Sequence, residues 1–369
     1  MTQFNGRTKI CYGEDAMGVI NTLPITRALV VTDPFMTRIG FADRVKSALD
    51  RAGIRHGVFD RVEPDPSLDT VTRGTQELIR EKADAVIALG GGSAIDAAKA
   101  MMYFAFKARE DTAKPLLVVI PTTSGTGSEV SCFSVVTDTA NQTKIPMSDE
   151  LLIPDLAILD ARFTRTVPPH ITADTGMDVL THAIEAYTSV DANIFADIYS
   201  EHAIRNVFSY LVRAYENGDD MTARERMLVA SCMAGTAFSN CGLGITHSLA
   251  HSLGGVFHIP HGRANALMLP HAIRFNAMEA GERYKAIAGM IHLPDSSVET
   301  GTKSLVLAVQ SLMEKMALPL RIRDLDIEEA AFRKALGDLS AKALEDPCTA
   351  YNPRQPSREE IQDLFEQAW

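Results

Sequence analysis

Cysteine is scarce in this chain, and its few thiols are not spaced to act together. The five, Cys11, Cys132, Cys232, Cys241 and Cys348, are odd in number and form no Cys-x-x-Cys pair. That pattern excludes a zinc–thiolate site and predicts free thiols in a reducing compartment. Positive charge is also in deficit: 36 Lys and Arg stand against 47 Asp and Glu, a net charge of −11. Nucleic acid and an anionic membrane surface both require a basic footprint, so neither is an expected partner. No apolar run approaches the ~20 residues that span a bilayer. The opening MTQFNGRTKICYGEDAM has no apolar signal core, which needs ~7–15 residues. Internal repeats and low-complexity segments are absent. A cytoplasmic globular protein is the expectation, and 369 residues are too many for one ordinary core, so two domains are expected.

What is present is a change of pattern along the chain. ALVVTD (28–33), DAVIALG (84–90), LLVVIP (116–121) and LAILD (156–160) are short, almost wholly apolar runs. They read as strands of a parallel sheet buried on both faces. Helical patterns lie between them, LDTVTRGTQELIREKA (68–83) and SAIDAAKAMMYFAFKA (93–108) among them. Strand–helix alternation predicts βαβ units. Beyond about residue 165 only helical periodicity is left, at 171–189, 221–238, 304–316 and 358–369. The expected organisation is an α/β domain over 1–165 and a helical domain over 166–369. The join falls in FTRTVPPHITA (163–173), where Pro168 and Pro169 interrupt regular structure.

Two glycine loops follow predicted strands. In LGGGSAIDAAK (89–99), Gly90, Gly91 and Gly92 permit close backbone approach. Ser93 and Asp96 have the spacing of a helix capping box. Free N–H groups at that helix start would hold an anion such as pyrophosphate. A tight, well-capped turn is the alternative. PTTSGTGSEV (121–130) is the second loop, rich in hydroxyls and glycine. Both would lie at the carboxyl edge of the sheet, where open α/β folds bind ligands. Asp33, at the end of an earlier strand, is either an acid at a nucleotide ribose or the start of a turn with Pro34.

Histidine is concentrated. Five of the ten, His247, His251, His258, His261 and His271, fall within ITHSLAHSLGGVFHIPHGRANALMLPH (245–271). His247 and His251 are four apart, and so are Asp178 and His182 in GMDVLTHAIEAY (176–187); each pair occupies one helix face. Pro260 and Gly262 suggest a break that aims His261. One such pair alone reads first as a hydrogen-bonded core histidine, and the second histidine cluster reverses that. An Asp with several His forms an oxygen–nitrogen site for a divalent metal, Fe²⁺ or Zn²⁺.

Taken in order, GGGSAIDAAK, PTTSGTGSEV, GMDVLTHAIEAY and GITHSLAHSLGGVFHIPHGRANALMLPH resemble the iron-containing (group III) alcohol dehydrogenases over essentially the whole chain. The likeness leans to the short 1-propanol dehydrogenase branch of propanediol and ethanolamine microcompartment pathways. It implies a dehydroquinate synthase-like fold: a dinucleotide-binding α/β domain, an all-α domain and a cleft between them. It assigns Asp178, His182, His247 and His261 as metal ligands. His251 matches a histidine near the metal that is not a ligand, and is the candidate for proton transfer. His258 is expected to make a structural hydrogen bond, and His271 to end or cap a helix. Gly91, Gly92, Ser93 and Asp96 match the pyrophosphate loop. Thr122, Thr123, Thr126, Ser131 and Lys144 match other nucleotide contacts. Asp33 matches an acid that favours NAD over NADP, and Asp65 a further position near the cofactor.

The implied reaction is NAD(H)-dependent interconversion of short primary alcohols and aldehydes, with the metal as Lewis acid, in a homodimer or larger assembly. Microcompartment enzymes or shell proteins are the implied partners. Two alternatives remain: a glycerol dehydrogenase-like polyol oxidoreductase, which GGVFHIPHG disfavours, and a non-catalytic metal- or nucleotide-binding subunit.

Overall fold

The computed structural model describes residues 4–109, 113–141 and 143–369. The chain falls into two compact units that divide between Val167 and Pro168. The first begins at Gly6, not at the first residue. Phe4 instead stacks on Phe195 and Tyr199 of the second unit.

The first unit is α/β. Its strands are β1 (Lys9–Tyr12), β2 (Arg27–Thr32), β3 (Arg55–Phe59), β4 (Ala85–Gly90), β5 (Leu116–Pro121), β6 (Phe133–Asp138), β7 (Thr143–Ser148) and β8 (Leu156–Leu159). Its helices are α1 (Pro34–Arg38), α2 (Phe41–Arg51), α3 (Leu68–Glu81) and α4 (Gly92–Lys107). Six strands form one parallel sheet in the order β1-β8-β5-β4-β2-β3. Leu29, Val31, Val86, Ala88, Leu117 and Val119 face one core; Ala28, Val30, Ile87, Leu89, Val118 and Ile120 face the other. Alternate residues thus serve opposite faces, and both faces are covered, which is why these strands are apolar throughout.

Four strands were not expected. β1 and β3 lie at the sheet edges and are partly exposed, so they lack an apolar run. β6 and β7 pair as an antiparallel hairpin. β6 alternates buried and exposed positions at its start, and β7 is mostly exposed.

The second unit is helical: α5 (Pro169–Thr188), α6 (Ile194–Glu216), α7 (Met221–Cys241), α8 (Ile245–Phe257), α9 (His261–Met290), α10 (Val298–Lys315), α11 (Glu329–Glu345) and α12 (Arg358–Ala368). Pro169 starts α5 at the first helical position, where proline's fixed φ suits a helix. From Gly176 to Thr188 every residue of α5 is buried. Its carboxylates and histidine must therefore find partners inside the protein.

His271 departs from the expectation of a helix end. It lies well inside α9, one residue past Pro270, in a segment buried enough for packing to carry the helix through the proline. No single helix among the described residues is long and apolar enough to cross a membrane.

Candidate metal centre and nucleotide-binding loops

Three helices build the centre. α5 supplies Asp178 and His182, α8 supplies His247, and His261 opens α9. The turn between α8 and α9 aims His261. His258 ends α8 in the left-handed region at φ 55°, and Pro260 caps α9. Among the described residues no hydrogen bond from the His258 ring accompanies this geometry; its backbone makes the turn. Gly262 follows, and a Cβ there would collide with the Asp174 carbonyl and press on Asp178 Cβ. Only glycine lets α9 approach α5 so closely, and that approach brings His261 to Asp178.

The four side chains converge. His261 Nε2 lies 3.4 Å from Asp178 Oδ1, His247 Nε2 3.8 Å and His182 Nε2 3.9 Å. All four ligand atoms lie within 4.8 Å of one another. Ligands ~2.0–2.2 Å from one tetrahedral ion would be roughly 3.3–3.6 Å apart, so a divalent ion fits after small side-chain shifts. The donor chemistry agrees. Asn265 Nδ2 donates to Asp178 Oδ1 at 2.7 Å and lies 3.2 Å from His247 Nε2 and 3.1 Å from His261 Nε2. An amide has two hydrogens for these three acceptors. The pocket is short of positive charge and rich in lone pairs.

Electrostatics prepare the ligands. Burial alone would raise Asp178, but the three histidines and the Asn265 bond outweigh it and hold the carboxyl below its usual range. Burial, with its histidine neighbours, pushes His247 well below ordinary imidazole values, so the ring is neutral. Glu185, also on α5, lies 2.6 Å from His247 Nδ1 and accepts from Gly244 N and Thr246 N. His247 therefore turns Nε2 toward Asp178. A carboxylate behind a ligating imidazole fixes its tautomer and basicity.

His251 joins the cluster from outside the ligand set. Its ring stacks on His261 at 5.2 Å between centroids and meets His247 edge-on at 5.9 Å. His251 Nδ1 is tied to Asp346 Oδ2 at 2.8 Å.

In the α/β unit, both glycine loops sit at the carboxyl ends of adjacent strands, β4 and β5. Thr122 N donates to Gly90 O and joins the loops at their base. The anticipated capping box does not form. α4 starts at Gly92, earlier than expected, with Gly91 as its N-cap and no side-chain cap. That leaves the first-turn N–H groups for a phosphate. Gly92 is required here, since a Cβ would meet the Thr126 methyl at 2.9 Å; Thr123 packs beside Gly91.

Asp96 points the other way. Its carboxylate accepts from Ser128 Oγ at 2.9 Å and Val135 N at 3.1 Å. Beside it the fully buried Lys99 donates to Ser128 Oγ, Ser131 Oγ and the carbonyls of Ser131 and Phe133. Asp96 and Ser131 thus brace the second loop from beneath. Burial pushes the Asp96 carboxyl up to about 6 and the Lys99 ammonium down to about 8. Asp65, Ser93 and Lys144 meet at the surface. Asp65 N donates to Ser93 Oγ at 3.3 Å, and Lys144 Nζ lies 2.8 Å from Asp65 Oδ1. Asp33 does start a turn, its Oδ1 capping α1 through Phe35 N and Met36 N. Its Oδ2 lies 3.6 Å from where a Cβ on Gly90 would be, so it borders the first glycine loop.

Sequence reasoning missed Glu185, Asn265, Asp346 and Lys99. Glu185 follows His182 by three residues and Asn265 follows His261 by four, spacings that share a helix face. For Asp346 no local signal exists.

A carboxylate–imidazole cage in a helical unit and a pair of glycine loops on a parallel sheet suit a metal-assisted, nucleotide-dependent oxidoreductase. The pattern of the Fe-containing alcohol dehydrogenase family, C-terminal, matches residues 172–369, and that of iron-containing alcohol dehydrogenase matches 7–161. The chain belongs to this iron-containing alcohol dehydrogenase family. It is an oxidoreductase that interconverts alcohols and aldehydes. It is 41% identical over 380 residues to an NADPH-dependent butanol dehydrogenase of Clostridium saccharobutylicum, covering 99% of this chain and 97% of that one. It is 40% identical over 373 residues to the 1-propanol dehydrogenase PduQ of Citrobacter freundii, covering all of both chains. Some other relatives are longer, and the chain spans 43% of their length. The solved structure of a 1,3-propanediol oxidoreductase superposes over the whole of both chains with a TM-score of 0.94 at 33% identity.

Proposed function

We propose that the protein is an NAD(H)-dependent reductase of short aldehydes, propionaldehyde or acetaldehyde, that regenerates NAD. In this reading Asp178, His182, His247 and His261 hold Fe²⁺; Zn²⁺ accepts the same donors. The observation that carries the reading is the convergence of three imidazole Nε2 atoms within 3.9 Å of one carboxylate oxygen. When bound, the nucleotide supplies the hydride and the divalent ion draws electron density from the carbonyl oxygen.

The chain's own groups do the rest. Glu185 keeps the His247 lone pair aimed into the cage. The uncapped start of α4 and Gly92 receive the pyrophosphate, with Thr122, Thr123 and Thr126 along the second loop. Asp65, Ser93 and Lys144 frame the outer side of the nucleotide, while Asp96 and Ser131 act beneath the loop through Lys99. Asp33 repels a 2′-phosphate and so selects NAD. The Clostridium relative is named NADPH-dependent, which makes this the sharpest point of the proposal. His251 exchanges the proton that the substrate oxygen takes up.

The reading extends to a homodimer or larger assembly in the cytoplasm, inside a microcompartment. Its support is likeness to the 1-propanol dehydrogenase branch and a run of exposed apolar side chains, Val190, Ile194, Phe195 and Ile198, on the helical unit.

The test compares kcat/KM for propionaldehyde with NADH and with NADPH, and for glycerol with NAD. The proposal expects propionaldehyde with NADH to be preferred. Preference for glycerol would move the protein to the polyol enzymes, and preference for NADPH would remove the role of Asp33.

A further inference from the structure

Asp346 follows α11 and caps the turn Pro347–Tyr351. Its Oδ1 accepts from Cys348 N at 2.9 Å and from Ser248 Oγ at 3.3 Å. Ser248 is itself held by Thr349 Oγ1 at 2.7 Å. The other oxygen, Oδ2, takes His251 Nδ1 at 2.8 Å. The Asp346 side chain is 15% exposed and that of His251 44%. A well-anchored carboxylate therefore grips a ring that solvent would otherwise leave mobile. The Cys348 thiol belongs to the same group of atoms, but burial pushes it far up and it stays protonated. The cluster is a hydrogen-bonded one.

We propose that Asp346 is the positioning residue for His251: it takes the hydrogen on Nδ1, fixes the ring plane against His261 and reserves Nε2 for the proton exchange. The inference rests on the reading of His251 as the proton-transfer group. An ionised carboxylate only accepts, so Nδ1 keeps its hydrogen in both protonation states of the ring and the neutral form has its lone pair on Nε2. In aldehyde reduction, bound NADH would supply the hydride to the carbonyl carbon and leave as NAD. The Nε2–H bond breaks as the substrate O–H bond forms, the electron pair remains on Nε2, and solvent returns a proton to the ring.

Asp346→Asn tests this. The Cys348 backbone N–H requires an acceptor on its side, so the amide oxygen stays there and the amide NH₂ turns to Nδ1. His251 is then forced into the opposite tautomer. The expected result is a fall in kcat of about 10–100-fold, taking the range known for loss of a carboxylate behind a metal-ligating imidazole, with bound metal and nucleotide KM unchanged. Asp346→Ser keeps a cap for the turn but cannot reach His251, and should show the same loss. His251→Ala should lower turnover with metal retained, and Asp346→Asn added to it should cost nothing more. Full activity of Asp346→Asn beside an impaired His251→Ala overturns the role of Asp346 alone. An equal fold-loss in both backgrounds assigns Asp346 to the fold and overturns it likewise. Full turnover, or loss of metal, in His251→Ala overturns the reading of His251 and this inference with it.

Discussion

Glu185 Oε2 lies 2.6 Å from His247 Nδ1, and both side chains are fully enclosed. The same carboxylate accepts the N–H groups of Gly244 and Thr246 at the start of α8. One side chain therefore anchors the helix that carries His247 and orients the imidazole on it. Glu185→Gln keeps the volume and loses the charge. It is expected to weaken metal affinity about 10–100-fold, measured by competition with a chelator of known affinity. Unchanged affinity would show that α8 alone orients His247.

His247→Ala removes the most buried of the proposed ligands, 1% exposed. Metal retention and activity should be lost together, read by elemental analysis and NADH oxidation on the same sample. Full metal occupancy in this variant would contradict the four-ligand centre.

Asp33→Gly addresses nucleotide choice. Glycine is tolerated at a helix N-cap at a cost of only a few tenths of a kcal/mol, so the change isolates the charge. The ratio of kcat/KM for NADH over NADPH should fall. An unchanged ratio would leave Asp33 as the cap of α1 and nothing more.

Glu129, in the second glycine loop, is buried and its Oε1 has no hydrogen-bond partner among the described residues. Burial pushes its carboxyl from 4.5 up to about 7, opposed by its own backbone N–H and by Lys99. Between those values the folded protein holds more protons than the unfolded chain, so stability falls as pH rises through the window. Glu129→Gln should remove that loss. In urea unfolding the variant should exceed the parent by roughly 1–3 kcal/mol near pH 8, and the gain should vanish near pH 4. A gain that is the same at both pH values would contradict an ionised, uncompensated Glu129.

These residues also mark where sequence ceases to be informative. β2, β4, β5 and β8 are legible because burial on both faces makes them apolar, apart from Arg27 and Thr32 at the ends of β2. β1 and β3 are not, since edge strands need no such run. Asp178 and His182 are legible as a pair through i, i+4 spacing and the expense of burying such groups alone; that they join His247 and His261 is what the family resemblance implies, and spacing does not give it. Asp346 lies 95 residues from His251, and only the folded helices bring them together. Asp96 was misread for a local reason: its spacing from Ser93 imitates a cap, but the helix starts at Gly92 and turns Asp96 toward Ser128.

If Asp178, His182, His247 and His261 hold the catalytic ion, the reaction is metal-dependent. The most direct measurement is anaerobic: bound metal by elemental analysis, then NADH oxidation with propionaldehyde before chelation, after it, and after return of Fe²⁺ or Zn²⁺. About one metal per chain is expected, with turnover lost on chelation and restored best by Fe²⁺. Undiminished turnover in metal-free protein would contradict metal dependence.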